Sequence, residues 1–256
     1  MEILTPRQAD IVALAKAEGR VSVDELAERF AVTPQTIRKD LNELCDSGVL
    51  NRFHGGAVPA SGTANYGYEA RRQLAPEAKR AIGLAAARLI PDGASLLINI
   101  GTTTEQVATA LRGRKALMII TNNINVAHIL QGHDDLEVVV AGGVLRHSDG
   151  GIVGEAAVDF IRQFKVDYAV IGTSAIDHDG TLLDFDYREV KVAKAIMSCA
   201  RKSILVADAM KFERTAPVRV GHLTDLDIFV TDKPLPPDLA AVCNEQQVQV
   251  EIAAGT

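Results

Sequence analysis

Residues 22–41 read SVDELAERFAVTPQTIRKDL and contain two helix starts separated by a tight turn. Ser22 and Glu25 have the spacing of a capping box, in which each side chain bonds a backbone N–H that the helix leaves unpaired. Thr33 before Pro34 is a second start, because threonine caps helices well and proline is tolerated at the first helical position. Two short helices joined by so tight a turn form the helix-turn-helix pattern. The predicted helices span residues 23–30 and 34–47.

The flanking sequence completes a small domain. Upstream, a third capped proline start predicts a helix over residues 6–18. Downstream, Gly48 is a natural helix stop, and the pair at 55–56 can turn a short β-ribbon. We therefore predict an α+β winged helix-turn-helix domain over residues 1–57. The exposed edge of its wing is predicted to carry Arg52 and His54.

The helix after the turn has two different faces. Ile37, Leu41 and Leu44 recur at i, i+4 and i+7 and form one apolar stripe for the core. The opposite face carries groups that donate hydrogen bonds to phosphates and base edges. A solvated helix face is the alternative, but three capped helices, the short turn and the basic ribbon together favour DNA binding. The predicted DNA-contacting residues of this element are Thr33, Gln35, Thr36, Arg38, Lys39 and Asn42.

The overall charge of the chain does not indicate a nucleic-acid partner. The 256 residues carry a net charge of −6. Residues 1–60 have 7 Lys and Arg against 9 Asp and Glu, which gives −2. A DNA role must therefore depend on where the cations lie. Asp40, Glu43 and Asp46 are expected to weaken the positive field of the helix that would enter the groove, and Asp40 lies nearest to the end that would enter it.

Beyond a short polar stretch the pattern changes to that of a second domain. Apolar runs of strand length alternate with helix-like segments, which is typical of repeated βα units around a buried, mostly parallel sheet. We predict a linker over residues 58–75 and an α/β sensor and oligomerisation domain over residues 76–256. The predicted strands are 95–100, 117–121, 138–141, 168–171, 203–207, 228–231 and 248–252.

Residues 98–105 read INIGTTTE and give the sharpest chemical signal of this domain. A strand is predicted to end at Gly101, and a helix begins in the threonines. Backbone N–H groups and the positive helix end then point at one spot, which suits an anion. An ordinary strand–turn–helix with a threonine cap is the alternative. The residues predicted to hold a phosphate are Gly101, Thr102, Thr103 and Thr104.

Other polar groups follow later strands. Ligands of open α/β sheets bind beyond the carboxyl ends of the strands, so these groups are candidates for the same pocket, although each is also consistent with a plain turn or a surface ion pair. Amide and carboxylate oxygens would accept sugar hydroxyls, and a lysine would neutralise phosphate. The candidates are Asn122, Asn123, Gly142, Glu189 and Lys211.

Composition limits the class of protein. A content of 47% hydrophobic and 23% charged residues suits a globular chain. No apolar run has the length of a membrane span, and the N-terminus lacks a signal-peptide pattern, so we expect a cytoplasmic protein. The three cysteines have neither metal nor redox spacing. We expect no metal and no cofactor.

A family resemblance adds to this interpretation. Residues 19–27, 32–41 and 52–57 resemble the DeoR-type family of bacterial sugar-catabolism repressors, which usually carries arginine where this chain has Lys39. Residues 149–160 and 172–189 resemble the branch that responds to glycerol 3-phosphate. The resemblance implies a sensor similar in fold to ribose-5-phosphate isomerase. It also implies a homo-oligomer (dimer or tetramer) on double-stranded operator DNA. A phosphorylated polyol or sugar, most closely glycerol 3-phosphate, would release it.

Three functions remain open on the sequence. The first is a ligand-controlled repressor. The second is a sugar-phosphate isomerase with a DNA-binding appendage, since acidic and basic groups near a phosphate site could move protons. The third is an architectural DNA binder whose larger domain serves only for assembly. Turnover in an isomerase assay would favour the second, and the lack of any ligand-induced thermal shift would favour the third.

Overall fold

The computed structural model describes residues 4–18, 20–47, 49–53, 55–59 and 67–253. The predicted helix stop at Gly48 and the predicted DNA contact at His54 lie outside these residues. The chain divides into two compact units, Met1–Leu74 and Ala75–Thr256.

The N-terminal unit is a winged helix-turn-helix. Its strands form one antiparallel sheet in the order β1-β3-β2, with β2 and β3 as the wing. The first strand is too short to have been predicted, and it pairs with residues of the wing that lie far along the chain. The elements are α1 (Pro6–Glu18), β1 (Val21–Ser22), α2 (Val23–Arg29), α3 (Pro34–Asp46), β2 (Leu50–Phe53), β3 (Gly56–Pro59) and α4 (Tyr68–Gln73).

Two boundaries differ from the predictions in this unit. The wing continues to Pro59, two residues beyond the predicted end of the domain. The predicted linker contains α4, whose sequence YEARRQ consists largely of good helix formers. The apolar stripe of α3 is fully buried, since Ile37, Leu41 and Leu44 are each 0% exposed.

The C-terminal unit is built on a seven-stranded sheet with the order β15-β14-β12-β9-β4-β5-β6. Every neighbouring pair in it is parallel. Its strands are β4 (Ser95–Ile98), β5 (Leu117–Thr121), β6 (Leu136–Val140), β9 (Val166–Ile171), β12 (Ala200–Val206), β14 (Ile228–Thr231) and β15 (Gln249–Ile252). The predicted rhythm of parallel strands is therefore confirmed.

Helices cover both faces of this sheet. Alternate residues of one strand enter different cores: Leu97 packs in one, and Leu96 and Ile98 pack in the other. Residues of α5, α6 and α7 contribute to the second core, and residues of α8, α9 and α10 to the first. The helices are α5 (Pro76–Arg88), α6 (Thr102–Leu111), α7 (Ile124–Leu130), α8 (Glu155–Ile161), α9 (Tyr187–Ser198) and α10 (Pro237–Glu245).

Short antiparallel pieces decorate the sheet and were not predicted. They form a hairpin, β7–β8, and a three-stranded sheet in the order β10-β11-β13. Asp179 and Gly180 lie in the turn that joins β10 to β11, and Gly180 adopts φ +88°. The pieces are β7 (Val144–Arg146), β8 (Gly151–Val153), β10 (Ala175–Ile176), β11 (Thr181–Asp184) and β13 (Val218–His222), with 3₁₀ turns at Ala209–Glu213 and Leu223–Asp225.

Each helix of the described residues is too short or too polar to span a membrane.

Candidate functional site

The start of α3 is held as its sequence predicts. Thr33 has extended backbone angles, and its hydroxyl accepts a hydrogen bond from the backbone N–H of Thr36 at 3.3 Å. The hydroxyls of Thr33 and Thr36 also bond each other at 2.9 Å. Both side chains, predicted as DNA contacts, thus help to fix the end of the helix that would approach the groove.

The remaining predicted DNA contacts share one property. All of them are exposed, whereas the apolar stripe of the same helix is buried. Lys39 is the most tethered, with its ammonium 3.9 Å from the carboxylate of Glu43 one turn later. The exposed side chains are Gln35, Arg38, Lys39 and Asn42 on α3 and Arg52 on β2.

Asp40 behaves differently from the expectation that it weakens the field of α3. It is 5% exposed and lies against α1, where Arg7 donates to its carboxylate at 2.6 and 3.2 Å. Side-chain hydrogen bonding to Asp40 outweighs desolvation and raises the pKa of Arg7. The negative charge is therefore neutralised inside the unit, and the exposed face of α3 keeps its cations. Sequence spacing gave no sign of this pair, because its members lie on different helices.

In the C-terminal unit the strand order marks a binding position. The chain runs outward from β4 through β5 to β6, then returns to the other side of β4 with β9. Such a reversal leaves a crevice at the carboxyl ends of the two central strands, where ligands of open α/β sheets bind. Residues 101–104, which follow β4, were predicted to hold a phosphate and are called the phosphate turn below. Gly172, which follows β9, lies against this turn.

The phosphate turn has the geometry of an anion site. Gly101 adopts φ +152°, a conformation that other residues rarely tolerate, and α6 begins directly after it. No described residue accepts a hydrogen bond from the backbone N–H groups of Thr102, Thr103 or Thr104. These three donors lie at the positive end of a ten-residue helix. They are therefore available to a phosphate.

Thr104 contributes differently from Thr102 and Thr103. Its hydroxyl lies 2.8 Å from the backbone oxygen of Asn99 and 2.7 Å from that of Gly101 and donates within the turn. It is 0% exposed, so this side chain shapes the turn. The hydroxyls of Thr102 and Thr103 make no hydrogen bond to the described residues, which leaves them as the side-chain donors of the predicted set.

The loop after β5 separates the two predicted asparagines into different roles. The amide nitrogen of Asn122 donates to the Ile152 oxygen at 3.0 Å, and its amide oxygen is buried with no partner among the described residues. Asn123 is used internally: its nitrogen lies 3.3 Å from the carboxylate of Glu105, and its oxygen caps α7. Asn125 also donates to Glu105, at 3.0 Å. Asn122 is thus the one of the predicted pair with an open acceptor.

Glu189, predicted to accept ligand hydroxyls, lies in a buried ionic cluster. Arg146 of β7 donates to it at 2.5 Å, to Asp186 at 3.1 Å and to Asp149 at 2.7 and 2.8 Å. Burial alone would lower the pKa of Arg146, but hydrogen bonding to Asp149 and the charge of Glu189 raise it above its ordinary value. Hydrogen bonds from Arg188, and also from Arg146, hold the pKa of Asp186 well below its usual range despite burial. Glu189 therefore ties α9 to the β7–β8 hairpin.

The remaining predicted residues follow neighbouring strands of the same sheet. Lys211 is half-buried in the 3₁₀ turn that follows β12, while Gly142, after β6, is exposed and has open space around it. The prediction omitted Asn99, at the end of β4, and Lys79, a 3%-exposed lysine in the first turn of α5. Because α5 leads into the amino end of β4, its own first turn lies towards the carboxyl edge.

These features define a class of protein: a winged helix-turn-helix DNA-binding unit followed by an α/β sensor. A DeoR-like helix-turn-helix domain matches residues 7–63, and a DeoR C-terminal sensor domain matches residues 74–233. The chain belongs to the DeoR family of transcriptional regulators, as the resemblance of its motifs implied.

Individual relatives extend over nearly the whole chain. It is 44% identical over 248 residues to the glycerol-3-phosphate regulon repressor of Escherichia coli (strain K12), which covers 97% of this chain and 98% of that one. Identity to the repressor of the same name from Haemophilus influenzae is 45% over 249 residues, covering 97% of both.

Among solved structures, ribose 5-phosphate isomerase A from Neisseria gonorrhoeae shares 17% identity over 52% of each chain, with a TM-score of 0.37. A likeness at that level says nothing of activity. The predicted fold class, a winged helix-turn-helix plus an α/β sensor with a mostly parallel sheet, is confirmed.

Proposed function

We propose that this chain is a transcriptional repressor that leaves its operator when a phosphorylated polyol, glycerol 3-phosphate first among them, binds the phosphate turn. One observation carries the proposal. A capped, cation-bearing recognition helix and a helix start with three unengaged backbone donors belong to one chain. Relatives that match it end to end are named as repressors of a glycerol-3-phosphate regulon, which supports both the role and the ligand.

The proposed DNA contacts follow from exposure and charge. Arg38 and Lys39 on α3 and Arg52 on the wing would meet phosphates or base edges, with Gln35 and Asn42 as amide donors and acceptors. Helix-turn-helix proteins commonly bind two symmetric half-sites, one turn of DNA apart. We therefore propose a homo-oligomer, a dimer or tetramer, on double-stranded DNA.

Release requires that the ligand bind the weakly DNA-binding state more tightly than the other. The phosphate turn supplies the anion contacts, with Lys211 as a charge partner at the same edge of the sheet. A ligand that binds both states equally would shift nothing, however tight its binding. The quantity to measure is therefore the change in operator affinity that the ligand causes.

An isomerase is the competing function. Proton abstraction needs a base that is open to the substrate. The candidate carboxylates at this edge are engaged, since Glu105 accepts from two asparagines and Glu189 accepts from Arg146. The relatives carry repressor names, which supports a non-enzymatic role. Turnover of a pentose phosphate by the purified chain would reverse this conclusion.

The test is fluorescence anisotropy of the full chain on a duplex selected from a random-sequence library. We expect glycerol 3-phosphate at millimolar concentration to weaken binding at least about fivefold, the lower range of typical allosteric coupling. Thr103→Ala and Lys211→Ala should bind the duplex as the parent does and respond less to the ligand. Glycerol without phosphate is the matched control. Unchanged affinity across the ligand range would reject this inducer, and a thermal-shift panel of sugar phosphates would then separate a wrong inducer from an architectural DNA binder.

A further inference from the structure

Two buried amide groups follow the carboxyl ends of the neighbouring strands β4 and β5. Asn99 is 2% exposed and Asn122 is 0% exposed. The side-chain oxygen of each has no hydrogen-bond partner among the described residues. Folding removes such an oxygen from water without replacing its hydrogen bond, so native proteins seldom leave one unpaired without a use for it.

The sheet register places these two side chains next to each other. Ile98 of β4 pairs with Thr121 of β5, and the asparagines are the next residue on each strand. Neighbouring strands lie about 4.8 Å apart, and residues in register point to the same face. Asn99 and Asn122 therefore present two acceptors on one side of the crevice.

Other contacts hold the backbone of Asn99 and the side-chain amide of Asn122 in place. The backbone N–H of Asn99 donates to the Val170 oxygen at 3.0 Å, and its backbone oxygen accepts from Thr104 at 2.8 Å. The amide nitrogen of Asn122 donates to the Ile152 oxygen, which fixes its amide oxygen on the opposite side. The amide oxygen of Asn122 is therefore oriented before a donor arrives, and the backbone that carries Asn99 is fixed.

The same contacts join this pair to the phosphate turn. The hydroxyl of Thr104 bonds the backbone oxygens of both Asn99 and Gly101. The side chain of Asn99 therefore lies two residues before Gly101, on backbone that Thr104 links to the phosphate turn. The N–H groups that would bind an anion thus lie near two amide oxygens that can accept hydrogen bonds from hydroxyl groups. The complementary molecule carries a phosphate at one end and hydroxyl groups along the adjacent carbons.

We propose that Asn99 and Asn122 accept hydrogen bonds from two hydroxyls of a phosphorylated polyol, and that Asn99 is a specificity-determining residue of the sensor. This inference rests on the proposed function of the phosphate turn and adds the recognition of the carbon chain. Asn123 is excluded from the role because Glu105 and the cap of α7 already engage its amide.

The test compares two phosphate monoesters by titration calorimetry on the full chain. Glycerol 3-phosphate carries two hydroxyls, and n-propyl phosphate has the same carbon number and charge but none. The parent chain should bind the first at least about tenfold more tightly, because the analogue leaves the buried acceptors unpaired. Asn99→Leu should reduce the preference to within about threefold by weakening the binding of glycerol 3-phosphate.

Thr231→Val is the matched control. Its hydroxyl is likewise buried and unpaired among the described residues, but it lies on β14, which β12 and β9 separate from β4. This variant should keep the parent's preference. If Asn99→Leu does not fold, Asn99→Ala replaces it, since that change only removes atoms.

The outcomes separate this inference from the proposed function. Equal binding of the two esters by the parent, or an unchanged preference in the Asn99 variant, overturns the role of Asn99 and leaves the phosphate turn in place. Binding of neither ester overturns both. A loss of preference in Thr231→Val as large as that in Asn99→Leu would show a general effect of core polarity and also overturn the assignment.

Discussion

Arg146→Met removes a cation that joins three carboxylates. In the folded chain Arg146 is 15% exposed and bonds Asp149, Asp186 and Glu189, whose side chains are 2%, 17% and 11% exposed. Methionine replaces the unbranched stem of arginine and carries no guanidinium and no charge. The variant therefore keeps the packing of the stem and leaves like charges together in a half-buried site.

The expected cost follows from burial. Breaking a buried ion pair from one side costs about 3–5 kcal/mol, because the other charge remains uncompensated. For a unit of this size each kcal/mol shifts the unfolding temperature by about 2–4 °C. We expect the midpoint of Arg146→Met to fall by about 6–20 °C at pH 7. The individual hydrogen bonds of the cluster are not added, since members of one network are not independent.

The pH dependence of stability tests whether Arg146→Met destabilises the chain for the electrostatic reason given. In the parent, the pKa of Asp186 is depressed by its arginine partners, so its contribution to stability is present above its ordinary pKa of about 4 and is lost as pH falls below it. In the variant, repulsion raises the pKa values of the carboxylates that Arg146 held. Protonation then relieves the repulsion, and the gap between the two proteins should narrow as pH falls from about 7 to about 4.

Differential scanning calorimetry of the full chain measures both effects. Arg188→Met is the matched control, because Arg188 also bonds Asp186 but is 49% exposed, and such pairs contribute at most about 1 kcal/mol. The reasoning fails if Arg146→Met lies within about 1 kcal/mol of the parent at pH 7, or if the gap widens on acidification.

Two further outcomes test other parts of the chain. Arg38→Ala should weaken operator binding by about 1–3 kcal/mol in anisotropy titrations, whereas Arg29→Ala, whose guanidinium already lies 3.6 Å from Glu18, should change it little; equal losses would count against α3 as the reading helix. Gly83→Ala should destabilise the C-terminal unit by about 1–3 kcal/mol in calorimetry, because the added Cβ would lie 2.6 Å from the backbone of Gln106. Gly113→Ala, with nothing within 4 Å, is its control, and a Gly83 variant as stable as that control would contradict the packing of α5 on α6.

Local signals predicted the elements well, because the contacts that define them are local. Thr5 and Gln8 bond each other's backbone across the first turn of α1, as the cap pattern requires. Ser22 accepts from the N–H of Glu25 in the same way at α2. Each predicted helix of the N-terminal unit consequently ends within one residue of the observed boundary. The seven parallel strands were also found, since burial on both faces makes them continuous apolar runs.

The sequence predicted only part of the candidate site, because several of its contacts join residues that lie far apart along the chain. The phosphate turn is a contiguous run, so the sequence alone suggests an anion site there. Arg146, by contrast, meets partners 40 and 43 positions away, and Arg7 meets Asp40 across 33 positions. No periodicity encodes such pairs. Asn99 stands within the quoted run, but an unpaired oxygen is a property of its surroundings and has no sequence signal.

The Arg146 cluster and the phosphate turn are linked through one asparagine. Asn125 donates to Glu105 in the first turn of α6 and to the backbone oxygen of Asp149. Carboxylates so placed would repel a phosphate if they were left uncompensated, because like charges at this range interact strongly in a poorly hydrated site. Arg146 offsets the charge of Asp149, while Asn123 and Asn125 donate hydrogen bonds to Glu105. Under the proposed function, the stability of the β7–β8 hairpin and the affinity of the phosphate turn for its ligand would therefore both depend on Arg146.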